Sequence, residues 1–354
     1  MKLPAISNSE KLSPNKDRLF IGAYGFEDRS LGWVEYQKTQ GAILTDALLF
    51  RYKRPKGKNR IAQLQKAVRI LGVSNPSEVI YDYGARFPGN VEESIAEGLA
   101  PRTPFVKEVV LDISAMSKLL ILICLCKLRK FTGTLRIVSS EAEFYAPTQE
   151  EYADKKKEVE VIAKYPSRGV DSIVRTRCLS SIRMQGQPVT MVAFTSFNEQ
   201  LVRHMLGTIN PHRLLFINGR PPREDYKWRE IATQEIHKNV IDEYSNNNPT
   251  NAEGLLARVV STLDYKETIE CLDQIYEEFG LHERIICAAT GSKMQTVGLF
   301  FSKIAHPDIH IEYPTPNSYY VKGMSNGIRD VNEIVVPNFL ALLKEIQREV
   351  FDQT

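Results

Sequence analysis

The chain has 354 residues, of which 43% are hydrophobic and 25% charged, the proportions of a globular protein. Disordered and fibrous classes are thereby excluded, and the length suits two or three domains. A formal net charge of +3 does not by itself mark a nucleic-acid-binding protein, so any basic surface must be local.

The opening stretch "MKLPAISNSEKLSPNK" lacks an apolar core of signal-peptide length. From Arg18, "RLFIGAYGF" reads as an apolar strand and "SLGWVEYQKTQ" as a helix. "DALLFRY" is the next strand, and "NRIAQLQKAVRIL" spaces its apolar residues as a helix does. "EVIYDY" precedes "VEESIAEGLA", "EVVLDIS" precedes "KLLILICLCKL", and "TLRIVSSEAEFY" ends the set. The longest apolar run, Leu119 to Cys126, has eight residues against the roughly 20 of a membrane span, so no membrane contact is expected. Cys124 and Cys126 stand in that run. With Cys178, Cys271 and Cys287 they form an odd set without a CxxC pair, which predicts reduced thiols and a cytoplasmic location.

The same alternation then recurs. "PVTMVAFTSF" leads to "EQLVRHMLGTI", "HRLLFING" to "YKWREIATQEIHKNVI", and "ARVVSTLDY" to "KETIECLDQIYEEFG". "ERIICAATGS" runs into "KMQTVGLFFSKIA", and "DIHIEYPTPNSYY" ends the unit before a terminal helix, "PNFLALLKEIQREVF". Laying Ser117–Lys118 over Ser292–Lys293 also places Tyr145 over Tyr320 without a gap, and Phe26 matches Phe197. The reading is an α/β protein of two tandem Rossmann-like domains with mostly parallel central sheets, related by internal duplication. The expected boundaries are 1–150 for the first domain, 151–186 for a charged linker, and 187–354 for the second domain with its C-terminal helix.

Sheets of this type bind ligands at the carboxyl ends of their strands, where the strand order reverses. After the first strand stand Glu27, Asp28 and Arg29 in one half and Asn198 and Glu199 in the other. Such groups bind hydroxyls or base edges, or cap a helix. After the second strand both halves turn basic, with Arg51, Lys53, Arg54, Lys56, Lys58 and Arg60 in one and Arg220, Arg223, Lys227 and Arg229 in the other. Nucleic acid through 51–60 is left open, but few aromatics (Tyr52, Tyr226, Trp228) accompany these charges, so it is not signalled. After the fourth strand come "DISAMSK", with Asp112, Ser114, Ser117 and Lys118, and "ATGSK", with Thr290, Gly291, Ser292 and Lys293. A hydroxyl and a lysine where a helix begins suit an anion, because first-turn N–H groups and the helix dipole add to the ammonium charge. The repetition of this junction makes it the preferred ligand site. GxGxxG, a complete GxxxxGK[ST] loop, HExxH and GxSxG are all missing, so no metal, no cofactor and no nucleotide hydrolysis of the P-loop type is expected.

The "TGSK" turn at 290–293, placed between an apolar strand and an apolar helix, resembles the "TGGTK"-like turn of CARF domains, the CRISPR-associated Rossmann fold. "SAMSK" at 114–118 departs from that pattern by lacking its glycines. CARF domains pair about a two-fold axis and bind a cyclic oligoadenylate. The resemblance implies that one chain carries both members of the pair, with Lys118 and Lys293 facing each other across one ligand. It implies a nucleotide or cyclic-oligonucleotide sensor or a metal-independent ring-opening phosphodiesterase in prokaryotic antiviral defence, with a partner protein left open. Two alternatives remain. "LFIGAYGFED" resembles the first strand of a TIR domain, which implies an NAD-processing enzyme, and a non-catalytic interaction subunit of a larger complex is the other.

Overall fold

The structure is a computed structural model and describes residues 3–13, 17–53, 59–82, 88–247, 258–321 and 323–352. After a short strand β1 (Ile6–Asn8), the first alternation comprises β2 (Arg18–Ala23), α1 (Gly32–Thr39), β3 (Asp46–Tyr52), α2 (Ile61–Ile70), β4 (Ser77–Tyr81) and α3 (Pro88–Leu99). It continues through β5 (Glu108–Asp112), α4 (Lys118–Leu128), β6 (Thr134–Ser140) and a two-residue strand β7 (Phe144–Tyr145). Next come α5 (Gln149–Ala153), α6 (Glu158–Ala163), β8 (Ser167–Arg168) and β9 (Ser172–Val174). The second alternation has β10 (Val189–Phe194), α7 (Glu199–Ile209), β11 (Arg213–Arg220), α8 (Trp228–Asn247), β12 (Arg258–Ser261) and α9 (Tyr265–Phe279). It ends with β13 (Arg284–Ala288), α10 (Lys293–Ala305), β14 (His310–Thr315) and β15 (Ser318–Tyr319), after which follow β16 (Ser325–Asn326), β17 (Val331–Val336) and α11 (Phe339–Asp352).

Two mostly parallel sheets result, as the alternation predicts. The first has the order β1-β17-β6-β5-β2-β3-β4 and the second β12-β11-β10-β13-β14-β9. Within them, β6-β5-β2-β3-β4 and β14-β13-β10-β11-β12 are the same parallel arrangement. All six residues of β2 are buried, as a central parallel strand flanked by helices on both faces requires. Helix α4 is buried without a break from Leu119 to Cys126, so its apolar run has no solvent-facing stripe to signal amphipathicity. The five cysteines are free thiols. Among the described residues no helix is long and apolar enough to cross a membrane.

The domain boundaries differ from those expected. One compact unit comprises 1–146 and 321–349, the other 147–320 and 350–354. Residues 151–186, expected as a linker, belong to the second unit, where β9 pairs antiparallel with β14 and β8 with β15. The terminal segment, expected in the second domain, returns to the first unit: β17 pairs antiparallel with β6, Ile334 opposite Ile137, and β16 pairs with β7. Helix α11 follows it there, with the Phe339 and Leu340 amides donating to the carbonyls of Gly133 and Phe131. The physical cause is the open edge of each fifth parallel strand, whose backbone groups need a partner. In each case the partner comes from the stretch that follows the other alternation. These two stretches resemble one another. "SRGV" at 167–170 and "SNGI" at 325–328 both place a glycine in the left-handed region, Gly169 at φ +66° and Gly327 at φ +69°.

Candidate anion site at the strand ends

In the first unit the chain leaves β2 outward through β3 and β4, then returns to β5 on the other side of β2. The strand order therefore reverses between β2 and β5, and the loops after those strands border the crevice where such sheets take ligands. The corresponding loops of the second unit follow β10 and β13. Both Ser-Lys turns stand directly after the fourth strand of this arrangement. The two loops approach closely. A Cβ on Gly25 would come within 2.7 Å of the Ala115 Cβ, and one on Gly291 within 3.0 Å of the Phe194 Cβ.

In the first unit Ser117 is the N-cap of α4 and accepts the Leu120 amide at 3.2 Å. Two tyrosines at the ends of neighbouring strands brace this turn. Tyr52 Oη donates to the Ala115 carbonyl at 3.0 Å and accepts the Ser117 amide at 2.7 Å, while Ser117 Oγ donates to Tyr81 Oη at 3.2 Å. Asp112 and Ser114 point inward. Both are buried; Asp112 Oδ1 accepts the Ser114 amide at 2.9 Å, and Ser114 Oγ accepts the Ser140 amide at 2.8 Å. Lys118 is the first residue of α4 and half-buried. Protein atoms crowd its ammonium so closely that desolvation pushes its pKa down to about 8. No carboxylate among the described residues pairs with it.

The second unit builds the same junction with different bracing. Ser292 caps α10, accepts the Gln295 amide at 3.0 Å and donates to the Thr262 carbonyl at 2.6 Å; Gln295 Oε1 in turn accepts the Ser292 amide at 2.7 Å. This is a reciprocal capping box. Thr290 is buried, and its Oγ1 accepts the Phe194 amide at 3.0 Å and donates to the Phe194 carbonyl at 2.7 Å, joining the loops after β10 and β13. Lys293 opens α10 and is half-buried. Both serines thus cap their helices, and the cap coexists with a lysine at each helix start.

The polar residues after the first strands lie at the same edge, but their groups are engaged within the fold. Glu27 pairs with Arg29 through two bonds, at 2.9 and 3.0 Å, and accepts Ser325 Oγ at 2.5 Å. Asp28 accepts the Gly327 amide at 3.0 Å and pairs with Arg60. The Glu27 carboxylate raises the Arg29 pKa against the cost of burial, and the Arg29 guanidinium lies 5.7 Å from the Tyr145 ring centroid. In the second unit Asn198 Nδ2 donates to the Gly169 carbonyl at 3.1 Å and approaches Ser167 Oγ at 3.4 Å, and Glu199 lies 3.7 Å from Arg203. Both loops therefore clasp the Ser-x-Gly turn of the exchanged stretch. The repeated Ser-x-Gly was legible in the sequence; the bracing by Tyr52 and Tyr81 had no local signal.

The basic stretches are largely neutralised where described. Arg51 pairs with Glu78 at 2.6 Å, Lys53 with Asp82 at 2.7 Å, Arg220 with Glu267 at 2.8 Å, Arg223 with Asp225 at 2.5 Å, and Lys227 with Glu224 at 2.6 Å. Arg54, Lys56 and Lys58 lie outside the described residues. Among the described residues no group of three or more His, Cys, Asp or Glu side chains gathers as a metal site would require.

No protein-family model matches the chain, and no curated protein matches it. Among solved structures it is similar to a type III CRISPR defence DNA nuclease activated by cyclic oligoadenylate, with a TM-score of 0.49 and 8% identity over 84% of this chain. The chain spans 65% of that nuclease's length. A universal stress protein of Pseudomonas aeruginosa UCBPP-PA14 follows at a TM-score of 0.26 and 9% identity, covering 94% of this chain and 97% of that one. Likeness of this degree assigns no activity.

Proposed function

We propose that the protein binds the phosphate groups of a nucleotide at its two Ser-Lys turns, with a cyclic oligonucleotide second messenger as the ligand class, and acts as a sensor in prokaryotic antiviral defence. One observation carries the reading. The same turn recurs at the same switch point of two superimposable strand orders, each time as the N-cap and first residue of a long apolar helix. First-turn amides, the helix dipole and a lysine there add up to a site for negative charge. The ligand class comes from the resemblance of the "TGSK" turn to CARF domains. Asp112, Ser114, Thr290 and Gly291 shape the turns, while Glu27, Asp28, Arg29, Asn198 and Glu199 hold the loops beside them. A ring-opening phosphodiesterase reaction would need a base as well, and Lys118, charged below about pH 8, serves as the phosphate-binding ammonium and not as that base.

Calorimetric titration of linear and cyclic nucleotides against the parent, Lys118→Ala and Lys293→Ala tests this. A charge-assisted phosphate contact is worth roughly 1.5–3 kcal/mol, so each substitution should weaken binding about tenfold to a hundredfold. A nucleotide that binds the parent and both variants equally well sinks the reading.

A further inference from the structure

We infer that the second unit carries a base-stacking subsite beside its Ser-Lys turn, so that its ligand presents a planar heteroaromatic ring such as a nucleobase, and not phosphate alone. Six residues from three separate stretches meet there. Tyr152 and Tyr165 come from the region of α5 and α6, Phe197 from the loop after β10, and Tyr226, Trp228 and Arg229 from the connection after β11 and the first turn of α8. Ring centroids of Phe197 lie 6.4 Å from Tyr152, 5.2 Å from Tyr165 and 6.2 Å from Trp228, all edge to face. The Arg229 guanidinium lies 5.0 Å from the Phe197 ring, 5.1 Å from Tyr226 and 5.2 Å from Trp228.

Exposure separates this cluster from the core. Phe194, Phe216 and Tyr265 of the same unit are at most 2% exposed, whereas all six residues here are half-buried. Large π-surfaces held rigid by edge-to-face packing, with a guanidinium among them and partial access to solvent, suit a planar heteroaromatic ring. The position matches. Phe197 lies three residues beyond Phe194, whose backbone Thr290 of the turn bonds on both sides, and Trp228 follows β11, the strand beside β10. A ligand with phosphate at Lys293 would have its base at this edge. The matching place in the first unit is different: beside Phe26 stand the Glu27–Arg29 ion pair and Tyr145. The duplicated halves have diverged, and base recognition falls to the second.

This inference rests on the phosphate reading only for the neighbouring Lys293, and the test separates the two. The probes are AMP and ribose 5-phosphate, followed by calorimetry and by tryptophan emission. Of the two tryptophans Trp33 is fully buried in the first unit, so Trp228 is the responsive one. AMP is expected to quench the parent's emission and to bind more tightly than ribose 5-phosphate. Trp228→Ala should weaken AMP roughly tenfold and leave ribose 5-phosphate unchanged. Lys293→Ala should weaken both. Trp228→Phe keeps a ring and should retain most AMP affinity while losing the quench, which covers the case of an unstable alanine variant. Equal binding of the two probes, with no effect of either Trp228 substitution on AMP affinity and no quench, overturns the subsite and leaves the phosphate reading standing. Quenching by AMP that Lys293→Ala does not alter sinks the phosphate reading and keeps the subsite. Failure of AMP to bind at millimolar concentration overturns the subsite, and the phosphate reading is then decided by Lys293→Ala against ribose 5-phosphate.

Discussion

Replacing Lys118 by methionine should make the protein more stable and a poorer binder. The ammonium is desolvated at the positive end of a helix, with no described carboxylate to offset the cost. Its pKa of about 8, against the ordinary 10.5, corresponds to about 3 kcal/mol against the charged form. The side chain keeps some exposure, and water screens part of this, leaving roughly 1–3 kcal/mol. Methionine fills similar volume without the charge. For a domain of this size that is a rise of roughly 2–12 °C in Tm at pH 7. The pH dependence carries the diagnosis. Below pH 8 the lysine is charged both folded and unfolded, and the full penalty is present. Between 8 and 10.5 the folded form sheds its proton while the unfolded chain keeps it, so parental stability rises towards that of the variant. The advantage of methionine should therefore be largest at pH 7 and gone above about pH 10.5. Calorimetric melts of parent and variant in matched buffers across this range measure it, since all other titrating groups cancel in the difference. A loss of stability at pH 7, or a gain that does not change with pH, would refute the burial argument.

Glu27→Ala leaves Arg29 and Ser325 without their carboxylate, and should cost about 3–5 kcal/mol and loosen the 325–336 stretch, which hydrogen exchange would report. Gly327→Ala should cost more than Gly169→Ala in denaturant midpoint: both hold left-handed backbone, but a Cβ at 327 comes within 2.9 Å of Glu143 Cβ, against 3.1 Å to Asn317 Cβ at 169. Burial pushes the His237 pKa down to about 4, so the folded second unit resists a proton that the unfolded chain accepts below about pH 6.5. Stability should fall as pH drops from 6.5 towards 4, and His237→Phe should flatten that part of the pH–stability curve.

The alternation of strands and helices was readable because parallel strands are continuous apolar runs and most helices between them have their own period; "RLFIGA" and "NRIAQLQKAVRIL" are legible on this ground. The duplication pointed to the Ser-Lys turns, and both stand where the reading put them, at the fourth strand's end. What could not be read is pairing across long stretches of chain. Nothing local to "VNEIVV" says that it lies against "TLRIVSS", about two hundred residues earlier, because strand register is decided by the partner. For the same reason Glu27 and Asn198 looked available to a ligand until their Ser-x-Gly partners were in view. The convergence of Tyr152 and Tyr165 on Phe197 was likewise invisible, since aromatics far apart in sequence announce nothing about meeting.

The exchange of outer strands has a genetic consequence. A gene cut between the two alternations would yield halves that each carry the other's last strand and lack their own, so neither fragment should be stable alone while the two together should reassemble. The same arrangement suggests its own ancestor, a single-repeat protein whose two copies traded tails, as domain-swapped dimers do. Once the copies were joined head to tail, each exchanged stretch became a covalent tether, and an insertion there would act on the neighbouring repeat's sheet and not on the one that encodes it.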